Sequence, residues 1–148
     1  MPAKYNSNQP SILFLCTGNS CRSQMAEGWA RHLRQDLLRP YSAGIEAHGL
    51  NEHAVTVMRE VGVEISRQKS KTVKEMGNIE FDYVVTVCSN ADENCPYFPA
   101  GTNIVHHGFD DPPRLAASAA SAEEALRHYR RVRDEIKAYV LTLPAALI

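Results

Sequence analysis

The sequence predicts an α/β fold: a single domain built on a four-stranded parallel sheet, flanked by helices on both faces. Two observations lead there. Apolar runs with strand character, at about residues 11–15, 37–44, 81–87 and 103–106, alternate with segments whose apolar residues recur at helical spacing. Such alternation implies right-handed crossovers and a parallel sheet covered on both sides. The second observation is the run Phe81-Asp82-Tyr83-Val84-Val85-Thr86-Val87, β-branched enough to be a central strand. At 148 residues and 44% hydrophobic content the chain suits one domain, 11–148, behind a polar, Pro-flanked lead-in over 1–10.

The first strand, at about 11–15, runs into a polar loop that opens at Cys16, contains Gly18 and closes at Arg22. Met25, Ala26, Trp29, Ala30 and Leu33 then mark the apolar face of a crossover helix, with Glu27, Arg31 and Arg34 outside it. The second strand, 37–44, contains Pro40, which calls for an edge position or a late start. Asn51 is placed to cap a helix carrying Ala54, Val55, Met58 and Val61, with Gly62 as its stop. Residues 63–71 read as a loop with Ile65 tucked in, and 73–76 as a short helical turn. Cys88 ends the central strand, and a polar loop over 89–94 leads to Cys95 and Pro96.

After the strand at 103–106, residues 107–113 read as a loop by composition and the alanine-rich 115–120 as a surface insertion. Ser121 with Glu124 is a capping box, and Leu126, Tyr129, Val132, Ile136 and Val140 continue it as an amphipathic final helix. The charge run over 127–135 is the expected wet face of that helix.

A net charge of −1 offers no basic stripe, so nucleic acid and anionic membrane surfaces are not expected partners. No apolar run approaches the ~20 residues of a membrane span, and the first ten residues lack a signal peptide's apolar segment. The expectation is a cytoplasmic protein, for which the size suits a monomer. There, four cysteines point to redox or metal chemistry more than to a disulfide framework. A zinc site fits poorly, because the gaps between the cysteines lack a Cys-x2-Cys knuckle and Arg22 beside Cys21 repels a cation. No metal and no cofactor are expected. His32, His53 and His128 fall on helices, and His106 and His107 read as solvated or packing residues.

The loop Cys16-Thr17-Gly18-Asn19-Ser20-Cys21-Arg22-Ser23 is an oxyanion cradle. Consecutive backbone N–H groups in such a loop point inward, along with the positive end of the following helix. A thiol facing those donors is expected to fall into the activated range of roughly 3.5 to 7.5 and to be thiolate at neutral pH. Arg22 supplies a planar fork for two oxygens of a tetrahedral anion. Cys21, inside the loop, is read as structural. Ligands of open parallel sheets bind outside the strands' carboxyl ends, where Cys16, Cys88 and Asp111 all fall.

Cys-Thr-Gly-Asn-Ser-Cys-Arg-Ser followed by Gln-Met-Ala-Glu-Gly-Trp resembles the thioredoxin-coupled arsenate reductases, as do Tyr41-Ser42-Ala43-Gly44, Val87-Cys88 to Cys95-Pro96 and Gly108-Phe109-Asp110-Asp111-Pro112 in the same order. That family is built on the low-molecular-weight tyrosine phosphatase fold, and the similarity runs from about residue 11 to the final helix. The resemblance implies that Cys16 attacks the arsenic of an arsenate held by the loop amides and Arg22, while Asp111 protonates the leaving oxygen. It implies a transient Cys16–Cys88 disulfide as arsenite leaves, then a Cys88–Cys95 disulfide that thioredoxin reduces. Phosphate and sulfate are the expected competing anions, and the 89–94 loop is expected to move between redox states.

The resemblance also assigns Asn19 and Ser42 to loop support by hydrogen bonding. Some family members hold potassium with oxygens at the positions of Asn19, Glu27 and Ser42 and at two later positions, which are Lys69 and Lys71 here. A lysine ammonium opposite Glu27 is expected to take the ion's place. Two other readings are weighed: a phosphatase using Cys16, Arg22 and Asp111, and a thiol sensor that only forms Cys88–Cys95. The phosphatases set tyrosines after Asp-Pro where this chain has Pro113 and Arg114, and a sensor needs no Arg22.

Overall fold

The computed structural model describes residues 9–77, 79–88 and 103–147, and of Cys88 the backbone alone. The expectations for residues 1–8, the 89–94 loop and Cys95 fall outside these residues. Strands β1 (Ser11–Cys16), β2 (Arg39–Gly44), β3 (Tyr83–Cys88) and β4 (Asn103–Phe109) form one parallel sheet in the order β2-β1-β3-β4. All six residues of β1 are buried, as expected for a strand with neighbours on both sides and layers on both faces. The pleat splits them: Ile12 and Phe14 join Val85 and Val87 on one face, and Leu13 and Leu15 join Ala43 and Val84 on the other. Pro40 lies in β2, at the edge of the sheet, where its missing N–H costs least.

Helices α1 (Arg22–Leu33), α2 (Glu52–Glu60) and α4 (Ala122–Val140) cover the first face, burying Trp29, Met58, Val132 and Ile136 against Phe14 and Val85. On the second face, Leu13, Leu15 and Val84 pack with Phe81, and the 3-10 turn Lys74–Met76 contributes Met76. Phe81 meets Tyr41 edge to face at 5.5 Å. The fold is the predicted α/β class. Among the described residues, no helix is long and apolar enough to cross a membrane.

Local signals in the sequence act as read. The Asn51 side chain accepts from Ala54 N at 3.0 Å to start α2, and Gly62, with φ +81°, supplies the left-handed turn after it. Ser121 Oγ accepts from Glu124 N at 3.1 Å, while the Glu124 carboxylate reaches back to the N–H of Ala120, one residue beyond that of the usual box.

Three expectations need correction. Residues 107–109 belong to β4, which pairs with β3 as far as Cys88↔Phe109 across a bulge. Polar residues hid the strand because it spends them laterally: His106 Nδ1 lies 2.7 Å from Thr86 Oγ1, and the His107 ring lies 4.0 Å from that of Tyr139. The alanine-rich stretch is not an insertion throughout, since helix α3 (Pro112–Ala116) opens it and Ala116 packs on the core. Finally, Arg133 is not on the wet face of α4. It is buried, donating from Nη1 to Val57 O at 3.0 Å and to Glu60 at 3.1 Å, and its own carbonyl accepts from Trp29 Nε1 at 3.1 Å. A guanidinium whose donors are matched this way can be buried without an orphaned charge.

Candidate active site

The loop from Cys16 to Arg22 hangs between the carboxyl end of β1 and the N-terminus of α1. Its shape is imposed by the segment 45–51, which binds the loop's carbonyls. Ile45 N donates to Cys16 O (3.3 Å), Glu46 N to Thr17 O (2.9 Å), His48 N to Gly18 O (2.9 Å) and Asn51 N to Ser20 O (2.9 Å). With those carbonyls drawn outward, the N–H groups of Gly18, Asn19, Ser20 and Cys21 donate to no acceptor among the described residues. That is the donor array an oxyanion cradle needs. Helix α1 adds its positive end, for Cys21 offers no side-chain cap and the first turn holds no acidic residue.

Asn19 takes the strained position, with φ +47°. Its side chain secures the conformation by donating from Nδ2 to Ser23 Oγ at 2.9 Å and accepting from Lys71 N at 2.9 Å. Gln24, fully buried, donates to Asn19 O and Oδ1 at 3.0 and 2.9 Å, and in turn accepts from Gln68 Nε2 at 2.8 Å. Gly44 has to be a glycine because a Cβ there would stand 2.7 Å from Asn19 N and 2.8 Å from Thr17 O.

The floor of a pocket of about 370 Å3 is made by Cys16, Gly18, Cys21 and Arg22, and its rim by His48, Asp111, Pro113 and Arg114. Cys16 and Cys21 are buried thiols. Burial pushes the Cys21 thiol well above its ordinary value, and negative charge at Cys16 adds to the shift while Arg22 opposes it. Cys21 therefore stays a neutral thiol. Arg22 is buried; Nη1 donates to Phe109 O at 3.0 Å, Nη2 lies 3.5 Å from Asp111 Oδ1, and Nε has no partner. A buried guanidinium N–H left unmatched beside an open pocket is a donor waiting for an anionic ligand. Asp111 and its neighbour are told apart by their partners: Asp110 pairs with Arg131 of α4 at 2.8 Å, while Asp111, the N-cap of α3, turns to Arg22.

Chain comparison adds the lineage. Residues 11–147 match the family model for low molecular weight phosphotyrosine protein phosphatase. The chain belongs to that family. Within it, an arsenate reductase of Halalkalibacterium halodurans is 50% identical over 129 residues, spanning 87% of this chain and 91% of the relative. An arsenate reductase of Bacillus subtilis is 51% identical over 125 residues, 84% and 88% of the two chains. A solved arsenate reductase in its phosphate-binding state superposes with a TM-score of 0.75 at 28% identity, over 95% of this chain and all of the other.

Of the residues singled out from the sequence, Cys16, Arg22 and Asp111 meet at one pocket with Thr17, Gly18, Ser20 and Cys21. Ser23 is buried behind the loop on Asn19. Ser42 Oγ donates to Glu27 Oε1 at 2.5 Å. Glu27, though outside the apolar stripe of α1, is buried there, and meets Arg31 Nη2 at 2.7 Å and Lys71 Nζ at 3.6 Å. Lys71 is the link from that carboxylate to the loop, since its backbone N–H holds Asn19 and its ammonium also donates to Lys69 O at 3.1 Å. Cys88 ends β3, beside β1, at the carboxyl edge of the sheet. His48 and Gln24 were missed. The only signal for His48 is a Glu-x-His spacing just after the turn at Gly44, too common in sequences to single out.

Proposed function

We propose that this chain is a cytoplasmic arsenate reductase that converts arsenate to arsenite through Cys16, Cys88 and Cys95, with thioredoxin as electron donor. The observation that carries the reading is the pairing of an oxyanion pocket around Cys16 with a second cysteine, Cys88, at the end of the adjacent strand on the same carboxyl edge. Relatives about half identical to this chain and named arsenate reductase support it.

In this mechanism the loop N–H groups and Arg22 Nε hold arsenate, and Cys16 thiolate attacks the arsenic. Asp111, 3.5 Å from Arg22 Nη2 at the same pocket, gives a proton to the departing oxygen, which leaves as water. Cys88 thiolate then attacks Cys16 Sγ. The S–As bond breaks, its electron pair passes to arsenic, and arsenite leaves as the Cys16–Cys88 disulfide forms. Cys95 thiolate next attacks Cys88 Sγ and expels Cys16 thiolate, leaving Cys88–Cys95 for exchange with a thioredoxin dithiol. Cys21, neutral and buried, takes no part. Phosphate and sulfate compete for the cradle, and a weak aryl phosphatase activity accompanies the same loop and Asp111.

Steady-state arsenate reduction followed through NADPH oxidation tests the proposal. Turnover is expected with thioredoxin and its reductase and not with glutaredoxin and glutathione; the reverse result rejects the donor, and no turnover with either rejects the reductase.

The Lys71 ammonium carries a second expectation. Exchanging potassium for sodium at equal ionic strength should leave kcat/KM for arsenate within about twofold, because a tethered cation is not titrated by the medium. A steep rise in potassium would refute it.

A further inference from the structure

We infer that His48 is a specificity-determining residue: clamped by Glu46 over Gly18, its imidazole forms one lip of the oxyanion pocket and favours bare tetrahedral oxyanions over esters with a bulky leaving group. The inference rests on the oxyanion reading of the Cys16 loop given above.

The ring occupies the volume a side chain at Gly18 would need. A Cβ there would lie 2.3 Å from His48 Nδ1 and 2.8 Å from Cγ. It is fixed from several directions. Its own backbone N–H donates to Gly18 O at 2.9 Å, and Nε2 lies 2.6 Å from Glu46 Oε2. On one side Glu46 N is bound to Thr17 O at 2.9 Å; on the other, Gly49 N donates at 3.1 Å to Ser70 Oγ, which itself reaches Gly18 O at 3.3 Å. The imidazole cannot swing outward without giving up Glu46 or disturbing the loop, yet its side chain is 53% exposed, so a free face is presented to whatever enters.

Pro113 and Arg114, which follow Asp111 at the start of α3, line the same pocket. Proline at a helix N-terminus has a fixed backbone, so this wall is rigid too. An inorganic oxyanion needs only the floor, where Arg22 Nε and the loop N–H groups converge. An ester must also find room for its leaving group among the imidazole, Pro113 and Arg114 that line the pocket. Sites that welcome aryl groups line the approach with apolar and aromatic surface. This one offers a tethered imidazole and a guanidinium.

The test is calorimetric binding of inorganic phosphate and of phenylphosphonate to the full chain, at one pH and ionic strength, for the unsubstituted protein and for His48→Ala and Glu46→Ala. Removing the lip is expected to lower the ratio of the phenylphosphonate Kd to the phosphate Kd by about fivefold or more, on the scale by which pocket shape discriminates ligands, and releasing the tether by about twofold. Both ligands weakening together with an unchanged ratio would mean a merely structural His48 and overturn the lip alone. Phosphate failing to bind the unsubstituted protein would overturn the oxyanion reading and the lip with it.

Discussion

Replacement of Cys88 by serine is expected to lower multiple-turnover arsenate reduction by a factor on the order of 10^4 or more, the scale of losing a covalent participant, while phosphate affinity and any aryl phosphatase activity persist. Arsenic is reduced only if a second sulfur attacks Cys16 and lets the S–As electron pair pass to the metalloid. A serine hydroxyl at that position is neither ionised at neutral pH nor able to form the disulfide, so the Cys16 adduct has only water to return it to arsenate. The oxyanion pocket, by contrast, takes its wall from Cys16, Arg22, Asp111 and neighbours, the groups that hold the anion and start the chemistry. The companion variant Cys95→Ser should stop one step later, and mass spectrometry of non-reduced peptides should find Cys16 joined to Cys88. Arsenate turnover surviving Cys88→Ser would exclude the relay outright.

The second large effect concerns Arg22. Arg22→Lys is expected to raise the Kd for inorganic phosphate by roughly 10^2, since charge-assisted hydrogen bonds are worth about 1.5–3 kcal/mol each and about 1.4 kcal/mol is a tenfold change. The guanidinium does two things at once: Nη1 is committed to Phe109 O at 3.0 Å while Nε remains available toward the pocket. A lysine ammonium keeps the charge but has one nitrogen, and it must abandon either the carbonyl or the anion. A hundredfold change is within what losing the one bond from Nε allows. Titration calorimetry at a single pH and salt concentration reads the change, and a Kd within about threefold of the unsubstituted value would show that the loop amides alone hold the anion.

What could be read in the chain without coordinates was whatever local chemistry decides. Pro40 demanded an edge, Asn51 and Ser121 had the side chains that caps require, and the Cys16 to Arg22 loop followed an apolar strand and preceded a helical stripe. What escaped was settled across elements. Glu27 lies off the apolar face of α1, so periodicity leaves it wet, yet Ser42 and Lys71 come from β2 and a loop to bury it. Arg133 looked solvated for the same reason until α2 supplied Val57 O and Glu60. His48 lies in a non-periodic strap, and nothing nearby in sequence announces that its backbone and ring close over Gly18. The last strand was truncated at His106 because polar side chains at the described sheet's outer position carry no alternation of burial.

The contact between Lys71 and Glu27 bears on where such a protein can work. A dissociable ion stabilises a folded site only by mass action, through RT ln(1 + [L]/Kd), so its effect fades in dilute or ion-poor surroundings. A cation carried on the chain has no such dependence: its local concentration is written into the fold and survives dilution, dialysis and a change of salt. The backbone of the same residue grips Asn19, so order behind the anion loop is inherited from folding itself and not from the composition of the medium.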